Sequence, residues 1–210
     1  MKVTKDVALF YGILMGDGCL SRCGTGWFVV ITCHIHDDRP FFDDIVIPLT
    51  TKLRGKNVKY AIRPKYGKIE INFSDKELFN KIKSLGFPVG LKGNMSIPDV
   101  FSRKLLKHIV SGLFATDGSL FFANNNGTLY PRLEIHMIAS NTIYRVQEFL
   151  AENGIKGNVY KRDRKENHHQ AIFRIEIPGR PNLLKFRKVI GFINPKHEDK
   201  FQKYMAIKNS

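Results

Sequence analysis

The stretch Phe10-Tyr11-Gly12-Ile13-Leu14-Met15-Gly16-Asp17-Gly18 returns 100 residues later as Val110-Ser111-Gly112-Leu113-Phe114-Ala115-Thr116-Asp117-Gly118. Each copy is an apolar run with a glycine in its middle and Asp-Gly at its end. A second echo, Leu85-Gly86-Phe87 against Ile190-Gly191-Phe192, has an offset of 105. Two anchors at nearly equal offsets mean an internal duplication, so the chain must fold as two similar units.

In the first copy Val7, Phe10, Tyr11 and Leu14 recur at helical spacing, and Ala8, Gly12 and Gly16 form a second stripe of small residues at i, i+4 and i+8. The large stripe packs within its own unit, while the small one lets another helix backbone come very close. Thr4 is the predicted N-cap and Gly18 the C-terminal cap. A hairpin over 19–33 follows, then a helix opened by Asp37 or Asp38 that Pro48 should break or kink. A second hairpin over 58–63 and 68–73 and a helix from Asp75 to Gly86 complete the unit. A linker rich in glycine and proline spans 87–99, after which Ser102 caps a new helix and the order repeats. It runs through a hairpin turning at Asn124-Asn125-Asn126-Gly127, a helix at 141–153, strands near 158–164 and 171–177, and a helix from Pro181. An extra helix covers 197–208. The fold class is therefore α+β, with two tandem αββαββα repeats, residues 1–96 with the linker and residues 97–210, related by a pseudo-two-fold axis.

Lysine and arginine number 34 against 19 acidic residues, a net charge of +15. On a folded domain this points to a polyanionic partner, most often nucleic acid. Cys19, Cys23 and Cys33 are an odd count without a secretory start, which argues for a reduced compartment, cytoplasmic or organellar matrix, and against secretion. No apolar run suits a membrane. Arg22, Arg63, Lys65, Lys68, Arg132, Lys161, Arg162, Arg164, Lys165 and Arg174 lie in or beside predicted strands, whose alternation leaves one face open to a DNA groove. If about ten phosphates are neutralised, affinity falls with salt at a log-log slope of about −9.

A carboxylate at the C-terminal end of a helix faces the negative end of the macrodipole, so a positive group should compensate it. If the two small stripes pack together, Asp17 and Asp117 emerge side by side. Two close carboxylates share protons or bind divalent cations, and Mg²⁺ between them could activate water and stabilise the leaving oxygen of a phosphodiester. A rival use of the cysteines is zinc, held by Cys19, Cys23, Cys33 and His34 or His36, although no tight Cys-x-x-Cys spacing is present.

Both stretches resemble the signature of the LAGLIDADG homing endonucleases in their single-chain, two-repeat form. Gly12, Asp17 and Gly18 match it, as do Gly112, Leu113, Asp117 and Gly118, while Met15 and Ala115 depart at its other acidic position. Leu85-Gly86-Phe87…Lys92…Ile97-Pro98 and Ile190-Gly191-Phe192…Pro195-Lys196 resemble the segments that bring a basic residue to each active site, so the resemblance covers nearly the whole chain. It implies a monomer with a saddle of antiparallel strands over double-stranded DNA and the signature helices at its centre. It further implies Asp17 and Asp117 as metal ligands, assisted by the backbone carbonyls of Gly16 and Thr116, with Mg²⁺ or another divalent cation such as Mn²⁺. Lys92 and Lys196 become the catalytic basic groups, Gly12 and Gly112 the helix interface, and Cys33 and His136 strand-end residues near a water-ordering position. The implied activity is double-strand cleavage of a long asymmetric target in intron homing. The alternative on the same scaffold is an intron RNA maturase, which would make intron RNA a partner, or a DNA-binding regulator that does not cut.

Overall fold

The computed structural model describes residues 3–163 and 170–209. The first half runs α1 (Lys5–Asp17), β1 (Gly18–Cys23), β2 (Gly26–His34), α2 (Arg39–Phe41), a π-helical turn (Phe42–Val46), α3 (Ile47–Arg54), β3 (Ala61–Arg63), β4 (Lys68–Ser74) and α4 (Lys76–Ser84). The second runs α5 (Arg103–Asp117), β5 (Gly118–Asn125), β6 (Thr128–Met137), α6 (Ser140–Glu152), β7 (Asn158–Arg162), β8 (Ile172–Pro178), α7 (Arg180–Val189) and α8 (Pro195–Asn209). Each half makes a four-stranded antiparallel sheet, in the orders β1-β2-β4-β3 and β5-β6-β8-β7. The identical order is the duplication seen in three dimensions.

Alternation gives each sheet one buried face. Val29, Ile31 and Cys33 of β2 and Ile69 and Ile71 of β4 point under the helices, as Leu133, Ile135 and Met137 of β6 and Ile175 and Ile177 of β8 do in the other half. The repeated Gly-Phe motifs have a packing role. Phe87 sets its ring 5.3 Å from Tyr11 of α1, and Phe192 lies 5.7 Å from Phe114 of α5.

Several local expectations change. Gly18 is the C-cap of α1, its N–H donating to the Leu14 carbonyl, but its backbone is extended at φ −110° and β1 begins there directly. It is glycine for want of space, because a Cβ would lie 2.7 Å from Leu14 Cα. Pro48 does not break its helix. The π-helical turn over Phe42–Val46 precedes it and widens the spiral where the proline ring would otherwise meet a carbonyl, so helical backbone continues from 39 to 54. The first strand of the second hairpin keeps only Ala61–Arg63, the residues for which β4 offers ladder partners. The linker is also more ordered than its composition suggests. Val89 bridges to Leu20, Met95 and Ile97 are buried, and Thr142 donates to the Met95 carbonyl at 2.8 Å. Among the described residues no helix is long and apolar enough to cross a membrane.

Candidate active site and nucleic-acid interface

α1 and α5 cross where their glycines meet. A Cβ on Gly12 would clash with the Ile109 carbonyl and sit 2.9 Å from Ile109 Cα, and one on Gly112 would lie 2.5 Å from the Leu9 carbonyl oxygen. Near the C-terminal ends a Cβ on Gly16 would be 2.7 Å from Thr116 Cβ and 3.3 Å from Asp117 Cγ. The two helices therefore deliver Asp17 and Asp117 to the same place, each as the last helical residue before a strand leaves for its sheet.

The electrostatics follow from that crowding. Burial, then the charge of Asp17, raises the Asp117 carboxyl to about 6, against the opposing pull of Lys92 and His136. Asp17 is also raised, by burial first, while the Cys33 thiol, Lys92 and Lys196 favour its charge and Asp38 disfavours it. Burial and the nearby carboxylates push the Cys33 thiol far up, so it stays protonated with Sγ 3.5 Å from Asp17 Oδ2. The thiol is thus a donor to the carboxylate and not a nucleophile.

Lys92 is the positive group the helix end requires. Its Nζ donates to the carbonyls of Leu14 at 3.4 Å, Met15 at 2.8 Å and, at short range, Gly16. Its own pKa is lowered by burial and supported by Asp117 and Asp17. The Gly16 carbonyl, expected as a metal ligand, accepts from this ammonium. The two halves part company here. Asn194 donates to the Ala115 carbonyl at 2.8 Å, taking on α5 the capping place that Lys92 has on α1. Lys196 instead reaches Asp38 of the first half at 2.7 Å, where Asn194 also donates at 2.8 Å. Asp38 is buried near Asp17, so Lys196 and Asn194 hold the second repeat's C-terminal segment against the first repeat's site.

The donor set suits a hard divalent cation. Two carboxylates disfavoured by burial, Asp117 also by the charge of Asp17, gain from positive charge between them. Among the described residues no group of three or more His, Cys, Asp or Glu side chains is arranged for a metal, so the two aspartates would leave further positions to carbonyls, water or a phosphate. Zinc is not supported. Cys19 and Cys23 lie on the open face of β1, Cys33 points into the core, and all three are free thiols.

The strand register separates two residues that the sequence groups as strand-end positions. Gly18 pairs with Ile31 and Gly118 with Ile135, so Thr32 corresponds to His136 and Cys33 to Met137. Cys33 and His136 are not equivalent. A one-residue step reverses the face, placing Cys33 under the helices and His136 on the open side. A groove of about 550 Å³ joins that open side to the centre in the first half, lined by Cys19, Val30, Thr32, Lys68, Asp17 and Lys92.

The predicted DNA contacts divide by the same rule. Arg63 and Lys68 of the first sheet and Arg132, Arg174 and Arg162 of the second sit in open-face register, and Lys65 lies in the turn before β4. Arg22 does not face the groove. It shares the face of Leu20 and lies 3.6 Å over the Trp27 ring, which packs on Phe79 of α4. Lys161 pairs in register with Phe173 on the helix side and binds Asp163 at 2.8 Å. Arg164 and Lys165 lie outside the described residues. Sequence reading missed Asp38, Asn194, Glu134 and Glu176. The glutamates had a signal, since Arg132-x-Glu134-x-His136 and Arg174-x-Glu176 alternate as polar faces. Asn194 had none, because its role is set by a residue 156 positions away.

Residues 105–191 match the family model described as a LAGLIDADG-like domain. Comparison with curated proteins gives no match. Among solved structures, mesophilic variants of the homing endonuclease I-DmoI align at TM-score 0.63 and 15% identity, over 89% of this chain and 95% of theirs. I-DmoI in complex with DNA and Mn aligns at TM-score 0.63 and 18% identity, over 89% and 96%. The I-LtrWI LAGLIDADG homing endonuclease bound to target DNA aligns at TM-score 0.61 and 12% identity, over 97% and 90%. The chain as a whole thus has the two-repeat fold of the LAGLIDADG homing endonucleases it aligns with, and its residues 105–191 are similar to the LAGLIDADG-like domain.

Proposed function

We propose that the chain is a site-specific DNA endonuclease that makes a double-strand break near the centre of a long, asymmetric duplex, using Mg²⁺ or Mn²⁺. The observation that carries this reading is the joint emergence of Asp17 and Asp117 from the glycine crossing, between two open sheet faces. Relatives of the same fold described with target DNA and with Mn support it. Both halves lie on one chain, so a monomer completes the site.

Asp17 and Asp117 are the residues that would hold the cation, which would supply a water of lowered pKa and a positive charge at the leaving oxygen. Lys92 sets its Nζ near both carboxylates, which favour its charge against burial, and fixes the end of α1. Lys196 pairs with Asp38 and its charge also favours the ionised form of Asp17. The protonated thiol of Cys33 donates toward Asp17. The test is cleavage of a plasmid library with Mg²⁺ and with EDTA. A recurrent cut sequence that needs metal is expected, and no cutting, or cutting in EDTA, refutes the proposal.

Lys92→Met should remove the cation from the α1 carbonyls and lower cleavage by about 10²-fold or more, while duplex affinity measured by titration stays within a few fold. A fully active Lys92→Met protein would exclude Lys92 from the centre. The salt dependence should also be shallower than the bare count of strand cations suggests. Among the described residues Arg63, Lys65, Lys68 and Arg162 make no salt bridge, and each phosphate they contact adds about −0.9 to the log-log slope. Alanine at any of these four is expected to reduce the slope by about one, whereas Arg22→Ala leaves it unchanged. Equal effects at Arg22 and Arg63 would contradict the assignment of faces.

A further inference from the structure

The open face of the second sheet carries an ionic network that attraction to phosphate does not explain. Arg132, Glu134 and His136 project from alternate positions of β6, and Arg174 and Glu176 from β8, with Glu134 opposite Glu176 and His136 opposite Arg174. The two glutamates are 6% and 8% exposed. Arg174 Nη1 lies 3.1 Å from Glu134 Oε1 and its Nη2 lies 3.3 Å from Glu176 Oε2. Arg132 Nη1 is 2.9 Å from Glu176 Oε1, and His136 Nε2 is 2.8 Å from Glu134 Oε2.

Two guanidinium charges and two carboxylate charges cancel, so the network adds almost nothing to the pull on a polyanion. Buried carboxylates on a face turned to DNA would on their own repel it. What they supply is direction. An arginine in solvent samples many rotamers, but ion pairs at both terminal nitrogens, with the Tyr160 ring 5.0 Å from Cζ, fix the plane of Arg174. A guanidinium carries five N–H groups, more than the two glutamates engage, and the Arg174 side chain remains 36% exposed, so donors are left for a ligand in a set plane. The first sheet has no such device. The residues in the same register there are Phe28, Val30 and Thr32 on β2 and Glu70 and Asn72 on β4.

We propose that Arg174 is a specificity-determining residue that reads one guanine, through its N7 and O6 in the major groove, in the half of the target under the second repeat, with Glu134 and Glu176 as positioning residues. The proposal rests on the endonuclease reading. Guanine is the base whose two acceptors match a guanidinium fork, and lysine, a point charge, cannot reproduce that pairing. A phosphate contact needs no such fixed plane.

The experiment is selection of bound duplexes from a randomised pool by the wild-type chain, Arg174→Lys and Glu134→Gln. Arg174→Lys keeps a cation against both glutamates. Glu134→Gln keeps an acceptor and removes one charge, so it serves should the lysine variant fail to fold. The wild-type chain should require guanine at one position where each variant accepts other bases, with the preference reduced by roughly 10- to 100-fold and the remaining positions unchanged. Unchanged preferences in the folded variants, or relaxation at a base other than guanine, overturn the proposal. A wild-type site lacking that guanine overturns it alone, whereas a wild-type chain that enriches no sequence overturns the endonuclease reading with it.

Discussion

Asp117→Asn and Asp17→Asn are each expected to abolish double-strand cleavage, by roughly 10³-fold or more, while duplex binding persists. The same change should stabilise the metal-free protein. Asp117 has a folded pKa of about 6 against an ordinary 3.8. Because the folded value is the higher one, the folded chain binds more protons between those limits. Its stability is therefore full below pH 3.8 and falls as pH rises through about 6. Above that range the charged carboxylate costs on the order of 3 kcal/mol, which asparagine avoids. Denaturation at pH 7.5 without metal should show Asp117→Asn as more stable than wild type, with the difference vanishing near pH 4. A divalent cation should reverse the ranking by stabilising only the wild-type chain, and its apparent affinity should weaken as pH drops through 6. Equal stability of the two proteins across this range would contradict the burial of a strained carboxylate pair.

Gly12→Ala provides the second large effect, and its sign discriminates. Helix propensity alone predicts that alanine stabilises α1 by about 1 kcal/mol. The crossing predicts the opposite, since the added methyl would meet the Ile109 carbonyl and lie 2.9 Å from Ile109 Cα, backbone that cannot rotate away. Overpacking costs about 1–3 kcal/mol, and more where fixed backbone is met. Chemical denaturation of Gly12→Ala should therefore show a strongly destabilised or unfolded chain, and the two aspartates, if the helices separate, lose their common position. A neutral or stabilised variant would mean that the helices do not touch at Gly12.

Much of the architecture was legible because it is local or repeated. Asp75 accepts from the Leu78 amide at the start of α4 as its sequence position suggests, and the turn at Asn126-Gly127 has the positive φ values of 48° and 81° that its sequence favours. The duplicated Asp-Gly helices and Gly-Phe motifs announced two units of one design. Periodicity was less informative wherever a choice depended on one residue of register. Cys33 and His136 look equivalent at their strand ends, and only the pairing of Gly18 with Ile31 and Gly118 with Ile135 separates them.

The sequence by itself determined that the chain is a basic, duplicated α+β protein with two glycine-bearing helices that each end in an aspartate. Those properties depend on spacing and composition, which a single chain displays directly. Tertiary structure decided which cation serves which helix. Lys92 caps α1, but Asn194 takes the matching place on α5 and Lys196 crosses to Asp38. It also decided that Arg22 lies over Trp27, away from the groove, and that Glu134 and Glu176 orient Arg174. Such pairings join residues far apart in sequence, and their energies depend on burial and distance, which exist only once the chain has folded.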